Sequence, residues 1–381
     1  MVILGIETSC DETAISVVEA TGTFEEKISF IVRAQALYSQ VKIHAEYGGV
    51  FPALAKREHA KNLTPLLEKA LSDASITTVK EKPNFDEEKI KKILERESGL
   101  AESLFALVKK IDTPKIDAIA VTAGPGLEPA LWVGINFALA LGEIWQMPVY
   151  PTNHMAGHLF SPLVMSDTAF QFPVLALLVS GGHTELVVAE NWRGHKVVGQ
   201  TRDDAVGEAF DKVARLLGLP YPGGPAVSRL AKEARQANLT PEFSLPRPMR
   251  DSGDFAFSFS GLKTAVLYLL KKFDDITDDL RRQVAREFED AVTDVLVTKT
   301  EHALRAYAPR TFILAGGVSA NEHIREACKN VIQKYPDTQF LTPTIDLSTD
   351  NAVMIAAAAY IDILNGAAPT TTIKAEGNLA L

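Results

Sequence analysis

Residues 174–189 read V-L-A-L-L-V-S-G-G-H-T-E-L-V-V-A. An apolar run, Val174–Val179, meets the small polar turn Ser180-Gly181-Gly182-His183-Thr184, and Glu185–Ala189 returns as a second run. Short apolar runs bounded by glycine and polar residues read as strands joined by a turn, and Gly194–Gln200 adds a third. The chain opens with the same pattern, in which Val2–Ile6 is followed by the polar turn Glu7–Thr13, then by Ala14–Glu19 and Ile28–Leu37. Each meander leads into helical spacing. After the first comes a helix over about His44–Leu71, then a strand at Ile116–Thr122 ending in Gly124-Pro125-Gly126, an apolar helix, and a strand at Pro148–Pro151. After the second come helices at Gly207–Leu217, Gly223–Gln236, Ser260–Lys272 and Asp278–Tyr307. A strand at Thr311–Leu314 then runs into Ala315-Gly316-Gly317-Val318-Ser319-Ala320-Asn321, which opens another helix. Alternating strands and helices predict an α/β protein, and the recurrence near residues 10 and 182 is a weak internal duplication. Residues 77–113 differ: Lys80-Glu81-Lys82 and Asp86–Lys92 read as a solvated surface insertion, followed by the amphipathic Leu100–Lys110.

The 381 residues suggest two domains or one two-lobed unit, at about 100–200 residues per domain. With 46% hydrophobic and 23% charged residues the chain is neither disordered nor membrane-like. Two cysteines, Cys10 and Cys328, are too few for a disulfide framework or a cysteine-based zinc cage, which suits a reducing cytoplasm. The N-terminal stretch M-V-I-L-G-I-E-T-S-C-D-E-T lacks a targeting pattern. The apolar stretch Pro129–Trp145 carries Asn136 and Glu143 and falls short of the ~20 residues a bilayer needs, so it reads as a core helix. A net charge of −9 shows no global basic footprint, so any contact with RNA must use a local patch or a partner's surface.

Loops of small residues at strand ends are where backbone N–H groups approach an anion, and Ser180-Gly181-Gly182 and Gly316-Gly317 qualify, the latter with a helix N-terminus beyond it. No G-x-x-x-x-G-K-[ST] loop is present, which excludes a P-loop mechanism. His154-Met155-Ala156-Gly157-His158 puts two imidazoles one helical turn apart, able to share a metal or simply to be polar helix residues. A zincin-type peptidase needs a Glu after the first His, and Met155 stands there. Asp350, in Ser348-Thr349-Asp350-Asn351, is a candidate third ligand or a helix N-cap. Glu208 and Asp211 share a helix face, where the pattern favours capping and solvation over ribose contacts. Nothing supports Cys10 or His183 as part of a nucleophilic triad.

Taken together, G-I-E-T-S-C-D-E-T, H-A-E-Y-G-G-V-F-P-A-L-A-K-R-E-H, T-A-G-P-G-L, N-H-M-A-G-H, L-V-S-G-G-H-T, D-D-A-V-G-E-A-F-D-K, Y-P-G-G-P, F-S-F-S-G-L-K-T-A, A-G-G-V-S-A-N and S-T-D-N-A resemble the TsaD family, tRNA threonylcarbamoyladenosine transferases once named O-sialoglycoprotein endopeptidases. The His44–His59 stretch resembles its bacterial and mitochondrial branch, and residues 77–113 are the main departure. The resemblance implies an actin-like ATPase (ASKHA) fold, two lobes with a nucleotide cleft between them. Residues 1–151 would form the first lobe, 152–349 the second, and 350–381 a helix and tail returning to the first. It also implies a divalent metal, iron before zinc, on His154, His158 and Asp350, and substrate contacts at Leu178, Val179, Ser180, Gly181, Gly182, Asp211, Gly224 and Asn321.

The implied reaction moves a threonylcarbamoyl group from threonylcarbamoyl-AMP to the N6 amine of the adenosine 3′ of the anticodon, in tRNAs reading codons that start with A. Asp11 is the candidate proton acceptor, with a turn-stabilising contact its plain alternative. The implied partners are tRNA and auxiliary TsaB-like and TsaE-like proteins, or a homodimer; Arg229, Lys232, Arg235, Arg247, Arg250 and Lys263 are the densest basic stretch. The competing readings are an ATPase or kinase of the same fold, which needs no histidine pair, and a nucleotide-dependent interaction protein that uses an exposed apolar helix such as Pro129–Trp145.

Overall fold

The computed structural model of the chain describes residues 1–79, 82–166 and 168–381. It separates into two compact units, Met1–Ala169 with Asp350–Leu381, and Phe170–Thr349.

The first unit opens with β1 (Val2–Glu7), β2 (Glu12–Thr21) and β3 (Ser29–Ser39). There follow α1 (Val41–Ala45), α2 (Pro52–Ala74), β4 (Thr78–Val79), α3 (Glu87–Ile93), α4 (Leu100–Lys110), β5 (Thr113–Pro114), β6 (Ala118–Gly124), α5 (Glu128–Trp145), β7 (Val149–Asn153) and α6 (His154–Phe160). The main sheet runs β3-β2-β1-β6-β7, antiparallel through the meander and parallel from β1 to β7. Pairing of Glu7 with Ala14 leaves residues 8–13 as the hairpin connection at the carboxyl end of β1, as the pattern predicted. Because β7 pairs with β6, this unit runs past the division expected after residue 151.

The helix expected over His44–Leu71 is two helices. Gly48 and Gly49 take φ of +68° and +156°, which favour glycine, and Pro52 opens α2 at a position where its missing N–H costs nothing. Residues 77–113 hold the charged α3 and the amphipathic α4, but Ile90, Leu100, Leu104 and Val108 are wholly buried in the core of this unit. The segment is therefore part of the packing and not only a surface insertion. Lys80 and Glu81 lie outside the described residues. Leu131, Val133, Ile135, Phe137 and Leu141 bury α5 in the same core, so it offers no exposed apolar face. Among the described residues no helix is long and apolar enough to cross a membrane.

The second unit repeats the plan. β8 (Val174–Val179), β9 (Thr184–Asn191) and β10 (Gly194–Gln200) form the meander. Then come α7 (Val206–Leu216), α8 (Gly223–Gln236), α9 (Ser260–Leu270), α10 (Asp278–Tyr307), β11 (Thr311–Ala315), α11 (Glu322–Ile332), β12 (Gln339–Leu341) and α12 (Ile345–Ser348). Its sheet order, β10-β9-β8-β11-β12, matches the first strand for strand, with β11 and β12 parallel to β8. The duplication that residue patterns showed only weakly is complete at the level of topology.

The chain then returns to the first unit as α13 (Ala352–Leu364), whose residues from Ala352 to Ile361 are all buried. Along β1, Leu4 and Ile6 belong to the core beneath α2 and α5, whereas Gly5 faces the start of α13. A Cβ on Gly5 would lie 2.2 Å from the Ala352 carbonyl oxygen and 2.8 Å from Ser16 Oγ. Gly5→Ala is expected to lower the unfolding free energy in urea by about 1–3 kcal/mol, the usual cost of overpacking. Gly181→Ala, where a Cβ meets nothing within 4 Å, should change it by less than about 0.5 kcal/mol.

Candidate functional site

Asn153 ends β7 and caps α6, its side chain accepting from the N–H groups of Met155 at 2.8 Å and Ala156 at 3.1 Å. That cap sets His154 and His158 on one face, their rings edge to face with centroids 4.8 Å apart. A Cβ on Gly157 would crowd Met354 Cγ at 3.0 Å and Ile355 Cδ1 at 3.2 Å, so glycine lets α6 lie close against α13. The cap of α13 is Asn351, which accepts from Met354 N at 2.9 Å, and Asp350 is released from that role. Its Oδ1 instead lies 3.3 Å from His154 Nε2 and 3.2 Å from His158 Nε2. The structure thus brings the three expected ligands together, with one donor atom from each inside a 4.8 Å span.

The electrostatics of the cluster depend on charge pairing as well as burial. Burial alone would raise Asp350, but the two imidazoles hold its carboxyl far below the usual carboxylate range. Burial likewise works against charge on His154, yet Asp350 and Glu7 raise it well above the ordinary imidazole value. Burial and the neighbouring His154 push His158 down. Nε2 of the fully buried His158 faces Asp350 Oδ1 without hydrogen-bond geometry, and its Nδ1 has no hydrogen-bond partner among the described residues. An unpartnered buried imidazole is costly unless its lone pair meets a cation. Two imidazoles and a carboxylate with this unmet polarity fit a divalent transition metal.

The β1–β2 turn is tied to the cluster, since Ser9 Oγ lies 3.3 Å from His154 Nδ1. Asp11 is 8% exposed, and the adjoining Glu12 is pushed up to about 10 by burial and by the charges of Asp11 and Asp350. Burial and Asp11 also raise the Cys10 thiol well above its ordinary value, which leaves it a poor nucleophile. A buried polar chain holds this turn from behind. Gln40 N donates to the Asp11 carbonyl at 2.9 Å, and His59 Nε2 donates to the Cys10 carbonyl at 3.0 Å. That fixes His59 Nδ1 as an acceptor, 2.7 Å from Thr13 Oγ1 and 3.3 Å from Gln40 Nε2. Gln40 Oε1 in turn lies 3.1 Å from His44 Nε2. Sequence reasoning gave Gln40, His44 and His59 no individual role; His44 and His59 bound a shared motif, and Gln40 lies outside it.

In the second unit Ser180 N donates to the His183 carbonyl at 2.8 Å and His183 N to Ser180 Oγ at 3.1 Å, closing the β8–β9 turn. Gly181 and Gly182 are exposed at its tip, whereas the side chains of Leu178 and Val179 are wholly buried and present only backbone. β11 is in register beside β8, Leu178 opposite Ala315, so the Gly316 loop leaves next to this turn. Gly316, at φ +91°, passes so close that a Cβ would lie 2.4 Å from the Val179 carbonyl oxygen. Gly207 N donates to the Ser180 carbonyl at 3.2 Å, which sets the start of α7 against the same turn. The loops at the carboxyl ends of β8 and β11 and the first turn of α7 therefore gather in one place.

Asp211 Oδ1 accepts from Gly223 N at 2.6 Å and anchors the start of α8, with Gly224 open beside it. Asn321 builds its loop: Oδ1 caps α11 through Ile324 N at 3.0 Å, and Nδ2 donates to Ser228 Oγ and Glu289 Oε1, both at 2.7 Å. Within the basic stretch, Arg235 pairs with Glu289 and Asp290, and Arg247 with Glu287 and Asp294.

A family model described as TsaD, tRNA N6-adenosine threonylcarbamoyltransferase, matches residues 31–80 and 94–357. Relatives named tRNA N6-adenosine threonylcarbamoyltransferase include one from Geobacillus kaustophilus, 40% identical over 380 residues, spanning 100% of this chain and 96% of its own length. One from Polynucleobacter necessarius is 41% identical over 372 residues, spanning 96% of this chain and 93% of its own. Among solved structures, full-length HypF in its phosphate- and nucleotide-bound form aligns with a TM-score of 0.51 at 12% identity, covering 97% of this chain and 47% of that one. At that identity the likeness is one of fold, and the chain has the actin-like ATPase fold that its motifs implied.

Burial lowers His59 to about 4 from an ordinary 6.5, so the folded state binds its proton less tightly than the unfolded chain does. The associated stability is present above 6.5 and is lost as pH falls toward about 4, a total of ~3 kcal/mol for this one group. In urea unfolding, the stability advantage of the wild type over His59→Gln should shrink across that window. A difference that stays constant with pH would contradict the burial-lowered titration of His59.

Proposed function

The chain belongs to the tRNA N6-adenosine threonylcarbamoyltransferase family, and we propose that it transfers the threonylcarbamoyl group of threonylcarbamoyl-AMP to the N6 amine of the adenosine 3′ of the anticodon. The tRNAs are those reading codons that start with A, and AMP is released. It is a transferase of tRNA modification, as its family is. The observation that carries the mechanistic reading is the buried meeting of His154, His158 and Asp350 at one carboxylate oxygen.

In bond terms, the N6 nitrogen attacks the carbamoyl carbon, the anhydride C–O bond to phosphate breaks, and AMP leaves with that electron pair. The attacking amine must shed a proton, and Asp11, on the turn tied to His154 through Ser9, is the group proposed to accept it. His154, His158 and Asp350 would hold one divalent ion, iron favoured and zinc possible, whose chemistry when bound is that of a Lewis acid polarising a carbonyl or phosphoryl oxygen. The exposed backbone of Gly181 and Gly182, on the turn that the buried Ser180 closes, suits the phosphate of the adenylate, with Leu178 and Val179 supporting it from the core. Asp211, Gly224 and Asn321 shape the loops proposed to receive the nucleoside, Asp211 and Asn321 through the backbone they anchor.

A tRNA loop is recognised by single-stranded exposure and backbone electrostatics. With a net charge of −9 and with Arg235 and Arg247 already paired to carboxylates, this chain supplies little cationic surface of its own. TsaB-like and TsaE-like auxiliary proteins, or a second copy of the chain, are proposed to complete that surface, in the cytoplasm where tRNA is modified.

The test is nucleoside mass spectrometry of unmodified tRNA incubated with the protein, threonylcarbamoyl-AMP and bacterial-type auxiliary proteins. The wild type should form threonylcarbamoyladenosine, and His154→Ala/His158→Ala should lose about 100-fold or more of that rate. Product undiminished in the double variant would remove the metal site from the mechanism. Absence of product from a folded wild type that hydrolyses ATP would favour the kinase-like alternative.

A further inference from the structure

Glu7 ends β1 and is fully buried, and each of its carboxylate oxygens is engaged. Oε1 accepts from the backbone N–H of Ser9, and Oε2 accepts from Thr122 Oγ1 at 2.6 Å on the neighbouring parallel strand β6. The same Oε2 lies 3.0 Å from His154 Nδ1. The opposite ring nitrogen, Nε2, is the one that faces Asp350.

We infer that Glu7 is a positioning residue for the metal: it accepts the Nδ1 proton of His154, fixes the ring's tautomer and orientation, and so presents the Nε2 lone pair beside Asp350 and His158. A buried carboxylate is costly to keep, and a turn that needed only the Ser9 N–H satisfied would be served by a neutral acceptor. What the carboxylate adds is a fixed charge on the far side of a ligating imidazole, which raises that ligand's basicity and holds its plane. His158 has no equivalent, since its Nδ1 is unpartnered among the described residues. His154 is thus the oriented ligand of the pair.

The inference rests on the reading of His154, His158 and Asp350 as metal ligands, and the experiment separates the two. Metal-free full-length wild type, Glu7→Gln and Thr122→Val are titrated with cobalt(II). Affinity is read by chelator competition, ligand geometry by the visible absorption bands, and the metal-free fold by circular dichroism and thermal melting. Glu7→Gln should bind cobalt about 10–100-fold more weakly with shifted bands while its metal-free melt stays close to wild type. Thr122→Val keeps the carboxylate but loosens it, and should weaken binding in the same direction by less.

Wild-type affinity and bands in Glu7→Gln overturn the inference and leave the ligand assignment standing. Failure of the wild type to bind cobalt at all overturns both. If Glu7→Gln does not fold, Thr122→Val decides: weakened binding with an intact metal-free melt supports the inference, and unchanged binding overturns it.

Discussion

One carboxylate oxygen, Asp350 Oδ1, stands within 3.3 Å of two buried imidazoles, and much of the first unit is arranged so that it can. The chain must leave that unit at Ala169, build the whole of the second, and return at Asp350. Asn351 takes over the capping of α13, which frees Asp350 from competing backbone N–H groups. Gly5 and Gly157 omit side chains where α13 presses on β1 and α6. A buried anion between two imidazoles is tolerable because Asp350 and Glu7 favour positive charge on His154, and the same geometry suits a metal cation there.

The two units use one topology for different chemistry. Both place a hairpin turn at the carboxyl end of the first strand of a β3-β2-β1-β6-β7-like sheet, where open α/β sheets present ligand sites. In the first unit that turn carries Asp11 and leads into Glu12, and Gln40 and His59 clamp it through the carbonyls of Asp11 and Cys10. In the second it carries Gly181 and Gly182 and is closed by its own Ser180 and His183, so its backbone stays open. One turn holds buried carboxyls and the other leaves its backbone exposed.

Several corrections share a cause. The helix read across His44–Leu71 breaks because Gly48 and Gly49 adopt positive φ ahead of Pro52, a local signal that spacing of leucines overrode. The charged segment 77–113 looked like a surface addition because its charges lie on the outer face, while Ile90, Leu100 and Leu104 fill the core on the other. Asp211, within α7, and Asn321, at the start of α11, matched a binding pattern, and their side chains also anchor α8 and cap α11. Polar side chains in glycine-rich loops satisfy the loop's own backbone first, and composition cannot separate that use from ligand contact.

What the sequence determined by itself was local. Alternation of apolar runs and turns made the fold α/β, the i,i+4 spacing placed His154 and His158 on one helix face, and the glycines marked turns at strand ends. Those features depend on backbone geometry within a few residues, and collinear motifs sufficed to point to the family. Tertiary structure decided which distant groups meet. Glu7 behind His154, Asp350 in front of it, Thr122 steadying Glu7 and His59 steadying Cys10 are separated by tens to hundreds of residues. Their meeting follows from strand order and from the return of α13, because a buried charge or imidazole is stable only where the fold supplies its partner.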